Sequence, residues 1–200
     1  DPQTQLLAHD SPDDLVDRMD ALLKKSPGLG MLEAMEAELL ADEARFLVER
    51  GGDPTALLAR SVPILDRGSR AAPQDMNLIV SRAIASIAEA RWRSSRCSDP
   101  TALLDRAEKQ IATLGSRSSE DLPQEFLARA SLSRAQWLVR SGKSSSAPAA
   151  DGIRRVDRAL EARRGDPDLW VLKSQLQALA GDAAAARASL ERAWSINPLI

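Results

Sequence analysis

Apolar residues recur along most of the chain at the three- and four-residue spacing of a helix face, and breakers interrupt them at regular intervals. Leu15, Val16, Met19, Leu22 and Leu23 form the first stripe, opened by Ser11-Pro12-Asp13-Asp14 and closed by Pro27-Gly28. The next predicted helix runs from about Met31 to Arg50, offers Met35, Leu39, Ala44, Phe46 and Leu47 for burial, and stops at Gly51-Gly52. Asp53 then caps a shorter helix with Pro54 in its first position and Leu58, Val62 and Leu65 as its stripe. Pro63 inside that helix predicts a kink, because proline removes one N–H and crowds the preceding turn.

The alternation then starts again. A long helix is expected from about Asp75 to Ser95, with Met76, Val80, Ala83, Ile84, Ile87 and Trp92 as packing residues. A shorter one follows from Pro100 to about Leu114 through Leu104, Ala107 and Ile111, and Gly115 to Asp121 is a polar connection. A third long helix spans about Pro123 to Arg140 with Phe126, Ala130, Trp137 and Leu138. Ser141 to Pro148 reads as a flexible surface loop, and Ile153, Val156 and Leu160 mark a helix ended by Gly165-Asp166-Pro167.

This alternation is a sequence repeat. Asp53-Pro54-Thr55-Ala56-Leu57-Leu58 returns unchanged 46 residues later as Asp99-Pro100-Thr101-Ala102-Leu103-Leu104. Glu43-Ala44-Arg45-Phe46 precedes the first copy as Glu89-Ala90-Arg91-Trp92 precedes the second, and Arg134-Ala135-Gln136-Trp137 echoes them 45 residues on. Self-similarity at this period marks units that bury their apolar faces against neighbours. The units fall at about 30–73, 74–122, 123–167 and 168–198, with a half unit at 11–27, in a single domain over 1–200.

Composition agrees with an all-α chain. Ala, Leu and Arg dominate, while only two Phe, four Trp and no Tyr occur among 200 residues. A net charge of −2 argues against a nucleic-acid polyanion as the main ligand. The charge is uneven: residues 1–50 carry 12 acids and 5 bases, leaving 17 acids and 22 bases for the remainder. Solvated helix faces account for this, with a charge-matched partner or flanking domain as the alternative. Cys97 stands alone, so no disulfide framework exists, and no run of about 18 apolar residues spans a membrane. The expected setting is the cytoplasm, or a soluble segment of a membrane-anchored protein. Opening at Asp1, the chain is consistent with a piece cut from a longer protein.

In the last unit Trp170, Gly181-Asp182, Ala186, Leu190, Ala193 and Pro198 stand at spacings that resemble a tetratricopeptide repeat, although Lys173-Ser174 replace that family's Leu-Gly pair. The earlier units resemble longer relatives of the same repeat. The phrase from Ala44-Arg45-Phe46 to Arg50-Gly51-Gly52-Asp53-Pro54 is similar to extended arrays that follow the catalytic domain in some bacterial serine/threonine protein kinases. The resemblance implies antiparallel helix pairs stacked into a right-handed α-α superhelix, whose first helices line a groove for a peptide or helix. Val171 and Gln175 stand where a carboxylate-clamp version would want its charged residues, so that mode is not expected.

The chemistry of an enzyme is missing from the pattern. Gly142-Lys143-Ser144 imitates the end of a phosphate loop, but Trp137 stands where the motif needs glycine. His9 is the one histidine, and one His with one Cys cannot assemble a zinc site. No cofactor and no metal are expected, and no catalytic residue is assigned to this chain, a kinase domain being expected upstream if anywhere. The candidate binding residues are the polar positions that repeat along the long helices: Glu43, Glu89 and Arg134; Arg45, Arg91 and Gln136; Glu36 and Arg82. Their mixed charge suits a specific protein or peptide surface, or a domain of the parent chain, and a solvated helix face is the competing reading. A small-ligand sensor using the concave face is the alternative function. Phe46, Trp92, Trp137, Trp170 and Trp194 are expected to fill helix interfaces, Trp194 being the one closest to an open end. Leu190, Trp194, Ile196, Leu199 and Ile200 leave the last helix apolar enough for self-association.

Overall fold

The computed structural model describes residues 21, 30–114 and 121–199. Eight helices follow one another, and no strand occurs among the described residues: α1 (Gly30–Glu49), α2 (Thr55–Ala71), α3 (Met76–Ser95), α4 (Thr101–Ala112), α5 (Asp121–Arg140), α6 (Ser146–Ala162), α7 (Pro167–Leu179) and α8 (Ala183–Ile196). The chain is all-α. It divides into two compact units, Asp1–Ala85 and Ser86–Ile200, and the division falls within α3. The stripe at 11–25, its half unit, the 115–120 part of the polar connection and His9 lie outside the described residues.

The odd-numbered helices share one ending. Gly52, Ser98, Lys143 and Asp182 each donate a backbone N–H to the carbonyl five residues earlier, on Leu47, Arg93, Leu138 and Gln177, at 2.8, 2.9, 2.8 and 3.0 Å. The residue before each donor has positive φ: Gly51 at 80°, Cys97 at 58°, Gly142 at 68° and Gly181 at 88°. This is the Schellman ending, in which a left-handed residue folds the chain back onto carbonyls that would otherwise lack partners. Three of the four positions hold glycine, which adopts that conformation without a Cβ penalty.

Starts repeat as well. Asp53 and Asp99 accept the backbone N–H of Thr55 and Thr101 at 2.9 and 2.8 Å, and the prolines between them are fully buried. The two identical hexapeptides therefore occupy like backbone settings, with Pro54 at φ −83°, ψ 1° and Pro100 at φ −89°, ψ −2°. Asp75, Asp166 and Asp182 cap α3, α7 and α8 in the same way.

The even-numbered helices bury one stripe at matched positions. Leu58, Ser61 and Leu65 of α2 correspond to Leu104, Ala107 and Ile111 of α4, to Ala149, Gly152 and Val156 of α6, and to Ala186, Ser189 and Ala193 of α8. In the second unit α5 packs on α4, α6 and α7, α6 on α7, and α7 on α8; in the first, α1 packs on α2. Leu132, Val156, Leu160, Leu169, Leu172 and Leu176 make the apolar centre of the second unit, with Trp170 partly buried against it.

Several expectations need correction. Met35 is 51% exposed and Phe46 48%, because α1 turns Ala37, Leu40, Ala41 and Ala44 inward instead. None of the five aromatics is buried: Trp92, Trp137 and Trp170 are half-buried and Trp194 is exposed. Two residues ahead of Phe46, Trp92 and Trp137, the alanines Ala44, Ala90 and Ala135 are the fully buried ones. Small side chains set the close approach of helices, and the bulky rings lie beside it with Arg50 and Arg96 stacked 4.2 and 4.3 Å over Phe46 and Trp92. The 141–148 loop is also shorter than expected, since α6 begins at Ser146, and buried Ser145 donates to the Leu179 carbonyl at 2.8 Å. As expected, α2 continues past Pro63 to Ala71, and Pro63 and Ala59, whose carbonyl loses an N–H, are both exposed to water.

Candidate functional site

The eight candidate binding residues fall in both units, Glu36, Glu43, Arg45 and Arg82 in the first and Glu89, Arg91, Arg134 and Gln136 in the second. Equivalent positions do not have equivalent surroundings. Glu36 is buried on α1 and its carboxylate meets Arg60 of α2 at 3.1 Å. Arg82, at the matching place on α3, is buried and reaches back to Asp66 of α2 at 2.8 Å. Glu43 is half-buried. Arg45 is half-buried between Asp42 at 3.3 Å and Glu49 at 3.9 Å on its own helix.

In the second unit Arg134 is held between Asp105 at 2.8 Å and Glu108 at 3.1 Å, both on α4. Burial works against the guanidinium charge, but hydrogen bonds to Asp105 and Glu108 outweigh it and raise the Arg134 pKa further. Glu89 pairs with Arg93 at 2.6 Å along α3. Arg91 and Gln136 are half-buried on α3 and α5. The structure therefore brings Glu36, Arg82 and Arg134 into ion pairs between consecutive helices, and keeps Arg45 and Glu89 in pairs along their own helices.

Those contacts belong to a series that sequence reasoning missed. Lys173 of α7 meets Asp157 of α6 at 2.7 Å, and Arg163 at the end of α6 meets Glu125 of α5 at 2.6 Å. Arg163 also reaches Asp166, the cap of α7, at 3.1 Å, while Arg129 meets the other Glu125 oxygen at 2.9 Å. Burial would raise the Glu125 pKa, yet the Arg129 charge and the hydrogen bonds from Arg163 and Arg129 hold it below its usual range. Near by, Ser131 of α5 donates to Asp151 of α6 at 3.3 Å, and Arg155 holds the same carboxylate at 2.6 Å. An even-numbered helix thus presents acids that the next odd-numbered helix answers with a base. The sequence signal was available, as Asp66 and Asp157 occupy the same place on α2 and α6.

Such a network ties consecutive helices to one another. Among the described residues, no group of three or more His, Cys, Asp or Glu side chains is placed to hold a metal ion. Nor is any described helix long and apolar enough to cross a membrane. The class defined by this geometry is an all-helical chain tied together by interhelical ion pairs. No protein-family model, curated protein or solved structure matches the sequence.

Proposed function

We propose that the chain is a tetratricopeptide-like helical array that binds a protein or peptide, and that its stacked pairs form a right-handed α-α solenoid. The observation that carries this reading is the return of one Schellman ending and one capped start along the chain, at residues 51, 97, 142 and 181 and at Asp53 and Asp99. Repeated backbone joints make repeated helix pairs, and repeated pairs stack side by side. A surface fixed in this way costs little ordering on its own side when an extended segment docks. The bacterial kinase arrays resembled by residues 44–54 make a domain of the parent chain the first partner to try, and the role is regulatory scaffolding without catalysis.

Selection of displayed peptides on the whole chain, followed by fluorescence anisotropy in solution, tests the binding role. A shared peptide motif binding more tightly than about 100 μM is expected, and failure of every selected peptide to bind in solution overturns the role. Stacking itself is checked separately: removal of residues 167–200 should leave the preceding helices folded with a proportionally smaller urea dependence of unfolding, whereas complete loss of helix overturns the repeat reading.

A further inference from the structure

We infer that the turns ending α3 and α5 together form a basic docking edge for an acidic segment of a partner protein, which rests on the binding role above and gives its partner a chemistry. The two turns are neighbours in the second unit. The Arg140 guanidinium at the end of α5 donates to the Ser94 hydroxyl of α3 at 3.3 Å. Asp99, which caps α4, has its carboxyl held below the usual range first by hydrogen bonds from Thr101 and then by the charges of Lys143 and Arg134, so the turn after α5 also lies beside the start of α4. Schellman hydrogen bonds fix both turns, from Ser98 to Arg93 at 2.9 Å and from Lys143 to Leu138 at 2.8 Å.

This edge carries Arg96, Arg140 and Lys143, all exposed, with Ser98 and Ser144 exposed beside them. Arg96 stacks over Trp92 and Arg140 binds a hydroxyl, so among the described residues neither these two nor Lys143 is in an ion pair with a carboxylate. Asp99 is the one acid within 94–99 and 140–145, and it is engaged in capping. The other two turns of this type lack the excess: Arg50 stands with Glu49 and Asp53 after α1, and the turn after α7 holds Asp182 and no base. A run of carboxylates offers this edge the opposite charge and acceptors for its hydroxyls and guanidinium groups, and the fixed turns need little ordering to receive it. Nucleic acid fits less well, because Arg96 lies 4.3 Å over the Trp92 ring that a base would stack on and the chain carries a net charge of −2. Three bases also fall short of the clusters that hold anionic membranes.

Fluorescence anisotropy of a short fluorescein-labelled peptide alternating glutamate with serine, titrated with the whole chain, tests the edge. Binding tighter than about 100 μM is expected at about 50 mM salt, with roughly tenfold weakening at about 500 mM, and the lysine counterpart of the peptide should not bind. Arg140→Glu combined with Lys143→Glu should weaken the acidic peptide by about tenfold or more. Lys109→Glu combined with Arg158→Glu, the same charge change at exposed positions of α4 and α6, should leave it within about twofold. Equal loss in both double variants, or loss in neither, overturns the edge. Tighter binding of a single-stranded oligonucleotide or of phosphatidylserine vesicles also overturns it, since the bases would then serve another class of partner. Amide chemical shifts of the native chain give a readout that needs no variant: the peptide should move signals at 94–99 and 140–145, and shifts confined elsewhere overturn the proposal. If the acidic peptide fails while display-selected peptides bind, the edge falls and the binding role stands; if those fail too, the role falls with it.

Discussion

Helix α2 in the first unit and helix α6 in the second bury matched positions with opposite choices of side-chain volume. Helix α2 uses Leu58, Ser61 and Leu65 and reserves its closest approach for Gly68, where an added Cβ would lie 3.0 Å from Leu78. Helix α6 uses Ala149, Gly152, Val156 and Ala159. There a Cβ on Gly152 would lie 2.6 Å from Leu176 and 3.1 Å from the Cβ of Ser131. Leu58 and Leu65 fill space beside α2, while α5 and α7 close directly onto the backbone of α6. What repeats is the position that faces inward, and neighbouring helices adjust their distance to the volume found there.

The largest break in this comparison should come at Gly152. Gly152→Val places a branched side chain against the fully buried Leu176, and thermal or urea denaturation should show a loss of roughly 3 kcal/mol. A loss under about 1 kcal/mol would mean that α7 can back away, and the close approach would not be a constraint.

Next in size is the ion network that joins α6 to its neighbours. Glu125 is 13% exposed at its side chain, and Arg129 and Arg163 grip its two oxygens. Glu125→Gln leaves both arginines without their anion and should cost about 2 kcal/mol, less than a fully buried pair because the arginines remain partly wet. The pH dependence follows from the lowered pKa. Folding stability from this group is complete above the ordinary carboxyl value of 4.5 and disappears as pH falls through the lower folded value. Urea midpoints measured down that range should drop for the native chain and flatten for Glu125→Gln. Equal acid sensitivity in both would remove Glu125 as the source.

Much of this architecture is legible in the sequence because the signals are local. An Asp-Pro start and a glycine two residues past a helix need only their own backbone to be read, and the even-numbered helices carry apolar stripes with one clear period. The odd-numbered helices are harder. Neighbours contact α5 and α7 on more than one side, so no single apolar stripe stands out, and Phe46 or Trp92 looks more like core than Ala44 or Ala90 does. The candidate site shows the same limit. Repeated polar positions identify Glu36, Arg82 and Arg134 as related, but their partners lie 24 residues from Glu36 and 26 and 29 from Arg134. Only the packed helices bring those groups together.

A smaller effect of opposite sign should separate Ser61 from its counterpart Gly152. Ser61 is fully buried, and among the described residues its hydroxyl has no hydrogen-bond partner. Ser61→Ala removes that burial cost, improves helix propensity, and should raise stability by about 1 kcal/mol in urea denaturation. A destabilised variant would show that the hydroxyl holds a bond. Matched positions would then share a chemical need as well as an inward direction.

The smallest effect tests whether position also governs the turns. Cys97 takes the left-handed conformation at φ 58° where the other three odd-numbered helices place glycine. A side chain there costs roughly 1–2 kcal/mol, while glycine gives back about 0.5–1 kcal/mol through its extra freedom in the unfolded chain. Cys97→Gly should therefore gain about 0.5 kcal/mol, enough to move a urea midpoint measurably. Cys97→Ala keeps a Cβ and should gain nothing, which separates backbone strain from loss of the exposed thiol. If glycine and alanine behave alike, the turn after α3 is looser than the other three, and the common ending does not impose its backbone demand at Cys97.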